Sequence, residues 1–364
     1  MNNSGRILSI DVFRGLTIAA MILVNYPGAY GHSFTPLEHA HWAGITPADF
    51  IFPFFIFVMG ISVVLSFTRQ IQNEKPKKEM LKKIVVRSLI LYGIGLFLHF
   101  LPDFFVIRFD WFGVLQRIAI VYLLASLLFL YTNSKTQQIV FFSVLFVYWI
   151  TLCFTPTSEF YAGTIEPGRN FAAWFDRLFF APEILGKKGW NSEGLYSTFP
   201  SVSTCLIGIF TGKHLIRENK SMEEKIIHFF IAGVLCVIAG SVWDWQFPII
   251  NKIWTSSYVL YTAGWALLLL AASIWLIDVK SYKNNPIAKT GIVFGSNAIA
   301  IYVVADIFET FYKHTHIHDF VYNSLIYIGL IDKMASLLWA LISVGSCFLV
   351  AYFLYRKQIG RAHV

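Results

Sequence analysis

Charged residues are scarce in this sequence. They make up 14% of its 364 residues while 56% are hydrophobic, against about 25% charged in an ordinary soluble domain. This excludes a soluble globule, because apolar runs such as 52–67, 123–131 and 335–355 recur along the whole chain and are too long for a water-facing surface. Cysteine is scarce too: Cys153, Cys205, Cys236 and Cys347 each fall inside an apolar segment, with no CxxC pair. A disulfide framework and a thiolate metal site are thereby excluded, leaving small core residues. The sequence also lacks internal repeats, low-complexity tracts and a separate soluble domain.

What is present reads as an all-α, polytopic transmembrane helical bundle, a single domain over 1–364. A span needs about 20 mainly apolar residues. Ten segments qualify: 10–30, 47–67, 84–101, 113–131, 139–156, 197–212, 226–243, 257–277, 291–309 and 335–355. The stretch 320–331 is an eleventh candidate, interfacial or spanning. The first apolar stretch, 16–24, follows Asp11 and Arg14 and has no small-residue cleavage site, so it reads as a span rather than a signal. The 29 Lys and Arg exceed the 21 Asp and Glu, yet no motif points to nucleic acid, and the excess is topological. With the N-terminus in the cytoplasm, inside segments hold 18 of the basic residues and outside segments eight, which places both termini inside. The outer loops carry 11 acidic residues against those eight bases, a balance that favours a cationic ligand over a polyanion. The outer segment 157–196 is long enough to be a lid.

A few polar residues are not explained by a membrane environment. Asp11 and Arg14 share one face of the first span, and Asn25, three turns on, lies within about 20° of the same stripe. Polar groups at such depth face the bundle interior and are functional candidates; the alternative is an Asp11–Arg14 ion pair and an Asn bonded to a neighbouring helix. The segment from Glu38 to Phe50 is densest in chemistry, with His39, His41 and Asp49 at the outer mouth. A His–Asp pair and a helix cap, with Thr46 as N-cap and Pro47 at the first helical position, fit it equally well. Trp42 and Trp190 sit amid polar residues and suit stacking on a sugar ring, although an aromatic belt explains most of the tryptophans. Gln116 and Arg117 enter span four, Asn297 falls within span nine, and the turn 191–200 leads into span six. His314, His316 and His318 alternate without a completing ligand, so no metal site is expected.

Taken together, Ser9-Ile10-Asp11-x-Phe13-Arg14-Gly15, Val24-Asn25-Tyr26, His39-Ala40-x-Trp42-x-Gly44-x-Thr46-x-Ala48-Asp49 before Phe52-Pro53, Gly113-Val114-Leu115-Gln116-Arg117-Ile118-Ala119 and Glu193-Gly194-Leu195-x-Ser197-Thr198 resemble the heparan-α-glucosaminide N-acetyltransferase family and its bacterial homologues. The resemblance covers nearly the whole chain. It implies a membrane enzyme, in a bacterium one of the cytoplasmic membrane, that uses cytosolic acetyl-CoA to acetylate an amino sugar or glucosamine-ended oligosaccharide on the other side. It further implies that the active-site histidine is His39, with Asn25 and Asp49 as its companions. Membrane lipid and a homodimeric partner belong to this expectation; nucleic acid does not. The stretch between Asn25 and His39 looks longer here than in the lysosomal member, and that enzyme's N-terminal lumenal region has no counterpart in this sequence.

Acetyl transfer to an amine needs a base and a donor to the developing oxyanion. On this reading His39 is the base or a transiently acetylated nucleophile, Asp49 orients its ring, and Asn25 donates to the oxyanion. Arg14 is the candidate for the phosphates of the coenzyme. An amino-sugar permease without acyltransferase activity is the competing expectation, weakened because the sequence shows no broken-helix pair in its two halves.

Overall fold

The computed structural model describes residues 7–29, 31–100, 111–186 and 189–359, and among them the chain is helical with no strand. The expected outer loop 102–112 lies, but for its last two residues, outside the described residues. Thirteen α-helices follow in order among the described residues: α1 (Leu8–Asn25), α2 (Ile51–Gln72), α3 (Lys77–Phe100), α4 (Val114–Tyr131), α5 (Ser134–Phe154), α6 (Phe171–Phe179), α7 (Leu195–Leu215), α8 (Met222–Asp244), α9 (Ser256–Ile274), α10 (Pro286–Ser296), α11 (Ala298–His314), α12 (Ile317–Tyr327) and α13 (Asp332–Arg356). Several start on residues that satisfy the orphan N–H groups of a first turn. Asn133 accepts from Thr136 N at 2.9 Å before α5, and Ser221 and Glu224 cap α8 reciprocally at 3.2 Å.

Among the described residues seven helices are long and apolar enough to cross a membrane: α1, α2 with its leading turn, α4, α5, α8, α9 with its continuation to Val279, and α13. The α10–α11 pair makes an eighth crossing if taken as one span, but it is bent by 85°. The single helix expected over 291–309 is therefore broken. Asn297 leaves helical geometry there (φ −135°, ψ 37°), and its amide donates to Ile359 O at 3.0 Å. An Asn that finds a partner off the helix axis interrupts the ladder where an apolar residue would continue it. The helices α3 and α7, of 24 and 21 residues, are also of spanning length. By contrast α12, which overlaps the eleventh candidate, has 11 residues, about 16 Å at 1.5 Å per residue, too short for a hydrocarbon core of about 30 Å.

Burial explains why α7 is polar. It runs through the middle of the bundle, where Ser197, Thr198, Ser201, Ser203 and Thr204 are all buried against protein rather than lipid. The periphery is the reverse: α8 presents Ile227, Phe230, Ile231, Leu235 and Ile238 outward, as a lipid-facing helix must. Small residues bring the central helices together. At the α2–α7 crossing Gly60 faces Gly208, and a Cβ on either would collide with the backbone of the other helix, at Cys205 O or Phe57 O respectively. The α1–α10 crossing repeats this with Gly15 against Gly291 and Gly295.

Because the obstacle is backbone, replacing Gly208 by Ala is expected to cost about 1–3 kcal/mol through overpacking, seen as a lowered thermal midpoint in detergent. Gly93, which has nothing within 4 Å of an added Cβ, is the control. Its Ala variant should keep or slightly raise the midpoint, and equal midpoints for the two variants would refute the close-packing argument.

Candidate active site

The site is built where α2 begins. Asp49 sits in the short 3-10 turn that leads into α2 and is 1% exposed. A buried carboxylate must have its acceptors filled, and here the two oxygens take different partners. Oδ2 accepts the backbone N–H of Thr46 at 2.8 Å, its hydroxyl at 3.1 Å and the backbone N–H of Ala40 at 3.2 Å. Oδ1 faces His39 Nδ1 at 2.7 Å and accepts the side-chain amide of Asn251. The cap and the His–Asp pair, alternatives in the sequence, coexist on one carboxylate.

The contact sets the tautomer of His39. An ionised carboxylate only accepts, so Nδ1 carries the proton and Nε2 is left with the basic lone pair. The ring is half-exposed, at 47% of its side-chain area, while Asp49 is covered. The surrounding loop is pinned to the segment before α9, where Gly44 N donates to Ile249 O at 2.9 Å and Lys252 Nζ to His41 O at 2.7 Å, and Tyr258 of α9 donates its hydroxyl to Asp49 O at 2.5 Å. Asn251 and Tyr258 are about 200 positions from Asp49 in sequence, and no spacing motif could have joined them to it.

The other expected residues make contacts of their own. Asn25 ends α1 and is not among the partners of Asp49. The next residue, Tyr26, donates its hydroxyl to Asp306 of α11 at 2.5 Å. Arg14 lies three turns back along α1, where Nη2 bonds Asp11 at 2.7 Å and Nε bonds Gly295 O at 2.9 Å, so the ion pair weighed in the sequence is formed. Trp42 and Trp190 pack edge to face with ring centroids 5.5 Å apart, and Trp42 Nε1 donates to Ile165 O at 2.9 Å. The 157–196 segment is thus folded against the His39 loop and contains α6. Among the described residues no group of three or more His, Cys, Asp or Glu is placed to hold a metal ion.

Arg117 ties that segment to the bundle. It is 2% exposed, with its guanidinium 5.0 Å over the ring of Trp254. Its Nη2 donates to Ser192 O at 2.6 Å and to Ser197 Oγ. Nearby, Asp176 of α6 accepts Tyr196 N at 2.9 Å and so caps α7. A Cβ at Gly194 would displace the Asp176 carboxylate from this position.

Burial pushes the Asp176 carboxyl up to about 6 from its usual 3.8, against the opposing pull of its backbone hydrogen bonds and of Arg117. A group that binds its proton more tightly when folded contributes stability below about pH 4 and loses it as pH rises toward 6. Asp176→Asn should therefore flatten the fall in thermal midpoint between pH 4 and 6; an unchanged slope would exclude Asp176 as its source.

The chain is similar to known proteins over most of its length. A family model described as the catalytic region of heparan-α-glucosaminide N-acetyltransferase matches residues 6–241, a stretch that includes Asn25, His39, Asp49 and Arg117. The heparan-α-glucosaminide N-acetyltransferases of Homo sapiens and Mus musculus are 27% and 24% identical over 97% and 98% of this chain. The chain spans about three-fifths of the length of these relatives, 59% and 60%. This chain belongs to the heparan-α-glucosaminide N-acetyltransferase catalytic family.

Proposed function

We propose that this chain transfers the acetyl group of acetyl-CoA to the amine of a glucosamine-type sugar, taking the donor from the cytoplasmic side and modifying the acceptor on the other. The observation that carries the reading is the His39–Asp49 pair, 2.7 Å apart, inside the segment matched by the family. The Nε2 lone pair of His39 removes a proton from the attacking amine. The nitrogen bonds the thioester carbon, the carbon–sulfur bond breaks, and the imidazolium returns a proton to the departing thiolate. Asp49 holds the ring and offsets its positive charge. Asn25, at the outer end of α1, is the proposed donor to the oxyanion. Arg14 is the proposed contact for coenzyme phosphate at the inner end, where a phosphate would share it with Asp11 and Gly295.

The topology of this proposal has ten crossings, counting α3, α7 and the bent α10–α11 pair, with both termini cytoplasmic and 157–196 as a lid. As a lid, that segment would release the bonds from Trp42 to Ile165 and from Arg117 to Ser192 on opening. The bent α10–α11 pair is the one observation that favours a permease; counterflow of labelled sugar without acetyl-CoA consumption would identify that activity.

His39→Ala is expected to lower acetyl transfer about 10²–10⁴-fold while leaving coenzyme binding near wild type, with the thermal midpoint lowered modestly because Asp49 keeps its donors from Ala40, Thr46 and Asn251. His41→Ala should be mild, since Lys252 contacts the His41 backbone carbonyl. Mass spectrometry of glucosamine incubated with acetyl-CoA reads the product, and full activity in His39→Ala or equal losses in both variants would overturn the assignment. In vesicles of known orientation, acetyl-CoA supplied at the face bearing the 73–76 loop should support turnover, and supply at the opposite face should not.

A further inference from the structure

A polar cavity of about 780 Å³ opens between α3, α4, α11 and the turn at 191–193, and none of the residues assigned to acetyl transfer lines it. Its lining includes His99, Gln116, Glu193, Asp306, Glu309 and Lys313. Among these described residues there are three carboxylates and one lysine, and Lys313 is paired with Glu309 at 2.8 Å. The hydrogen bonds to the other two carboxylates come from neutral donors, Ser192 Oγ to Glu193 at 2.6 Å and Tyr26 OH to Asp306 at 2.5 Å, with the Arg117 guanidinium near Glu193 as the second cation. Each bond fills part of the acceptor capacity of a group that offers about four lone-pair sites. The second oxygen of Glu309 is buried and has no hydrogen-bond partner among the described residues. Buried acceptors in that condition call for a donor.

The charge balance sets the ligand class. A phosphate or sulfate would meet net negative charge here, whereas an ammonium bearing several hydroxyls would supply the missing donors and positive charge. The volume is within the usual range for small-molecule sites, about 300–1,000 Å³, and suits a monosaccharide or the end of a short oligosaccharide. Two walls are continuous in sequence with the candidate active site. Tyr26, bonded to Asp306, follows Asn25, and Glu193 closely follows Trp190, which packs on Trp42 beside His39.

We propose that this cavity binds the acceptor amino sugar in its protonated form, with Glu193, Asp306 and Glu309 as the carboxylates that recognise the ammonium and its neighbouring hydroxyls. The identification of the ligand as an acceptor rests on the acetyl-transfer reading above. An ammonium is not a nucleophile, so this is a capture site. The carboxylates govern affinity for the acceptor, and His39 governs the chemical step.

The test uses the full chain purified in detergent, with glucosamine, glucose and N-acetylglucosamine as probes, measured by calorimetry and by steady-state transfer. Glu193→Gln and Glu309→Gln should each weaken glucosamine binding about tenfold or more, the scale of one lost charge-assisted contact, and raise KM with kcat within about twofold. Lys313→Gln, which removes the competing cation, should tighten glucosamine binding and so keeps the test decisive if a carboxylate variant folds poorly. Glucose and N-acetylglucosamine should bind more weakly than glucosamine to the wild type. Unchanged glucosamine affinity in all three folded variants, or equal affinity for glucose, would overturn the cavity assignment even if transfer is observed. Carboxylate-dependent glucosamine binding without any acetylated product would uphold the amine site and reject the transfer reading instead.

Discussion

A carboxylate taken out of water at the mouth of a helical bundle has to be surrounded by donors, and Asp49 is the point at which this chain meets that demand. Its donors come from two stretches, the His39–Thr46 loop and the Asn251 segment before α9, while the carboxylate itself belongs to the turn that starts α2. Satisfying one buried group therefore fixes the loop, the helix start and the neighbouring segment relative to one another. The same bonds orient the imidazole of His39 and decide which of its nitrogens is basic. Stability and ring orientation are not separable here, because a bond that offsets the desolvation cost of the carboxylate is also the one that orients the imidazole.

Arg117 plays a matching part as a buried charge. A guanidinium that is fully buried needs acceptors and a face to rest on, and it finds Ser192 O, Ser197 Oγ and the Trp254 ring. Those contacts hold the turn at 191–197 and hence Glu193 at the edge of the polar cavity. Trp254 itself donates to Thr204 of α7 at 3.1 Å, so the central helix, the outer segment and the approach to α9 are locked by one chain of contacts. Glycine pairs at the α2–α7 and α1–α10 crossings let the helices come close enough for the polar side chains to find each other.

The charges are distributed unevenly along the bundle. The cavity between α3, α4 and α11 is rich in carboxylates, with Glu193, Asp306 and Glu309 in its lining. Along α1 the polar stripe ends in Arg14, already engaged by Asp11 and by the broken α10–α11 pair. That break places the backbone carbonyl of Gly295 beside a charged side chain within the bundle, a use of interrupted helix that is tolerated only where protein replaces lipid.

Composition and hydropathy were enough to establish a helical membrane protein, because apolar length is a one-dimensional property set by the thickness of a bilayer. The cap at Thr46, the closeness of His39 to Asp49 and the Asp11–Arg14 pair were also legible, since each joins residues within about ten positions and local geometry limits their options. The break at Asn297 was not, because an apolar run looks the same whether a helix passes straight through it or bends by 85°. Nor were the bonds from Asn251 and Tyr258 to Asp49, from Tyr26 to Asp306 and from Arg117 to Ser192, which join residues 75 to 280 positions apart. The sequence by itself determined which segments avoid water and which short motifs carry chemistry. Only the tertiary structure decided which buried polar groups satisfy one another, because that depends on how the helices cross, and their crossing is set by packing summed over the whole bundle.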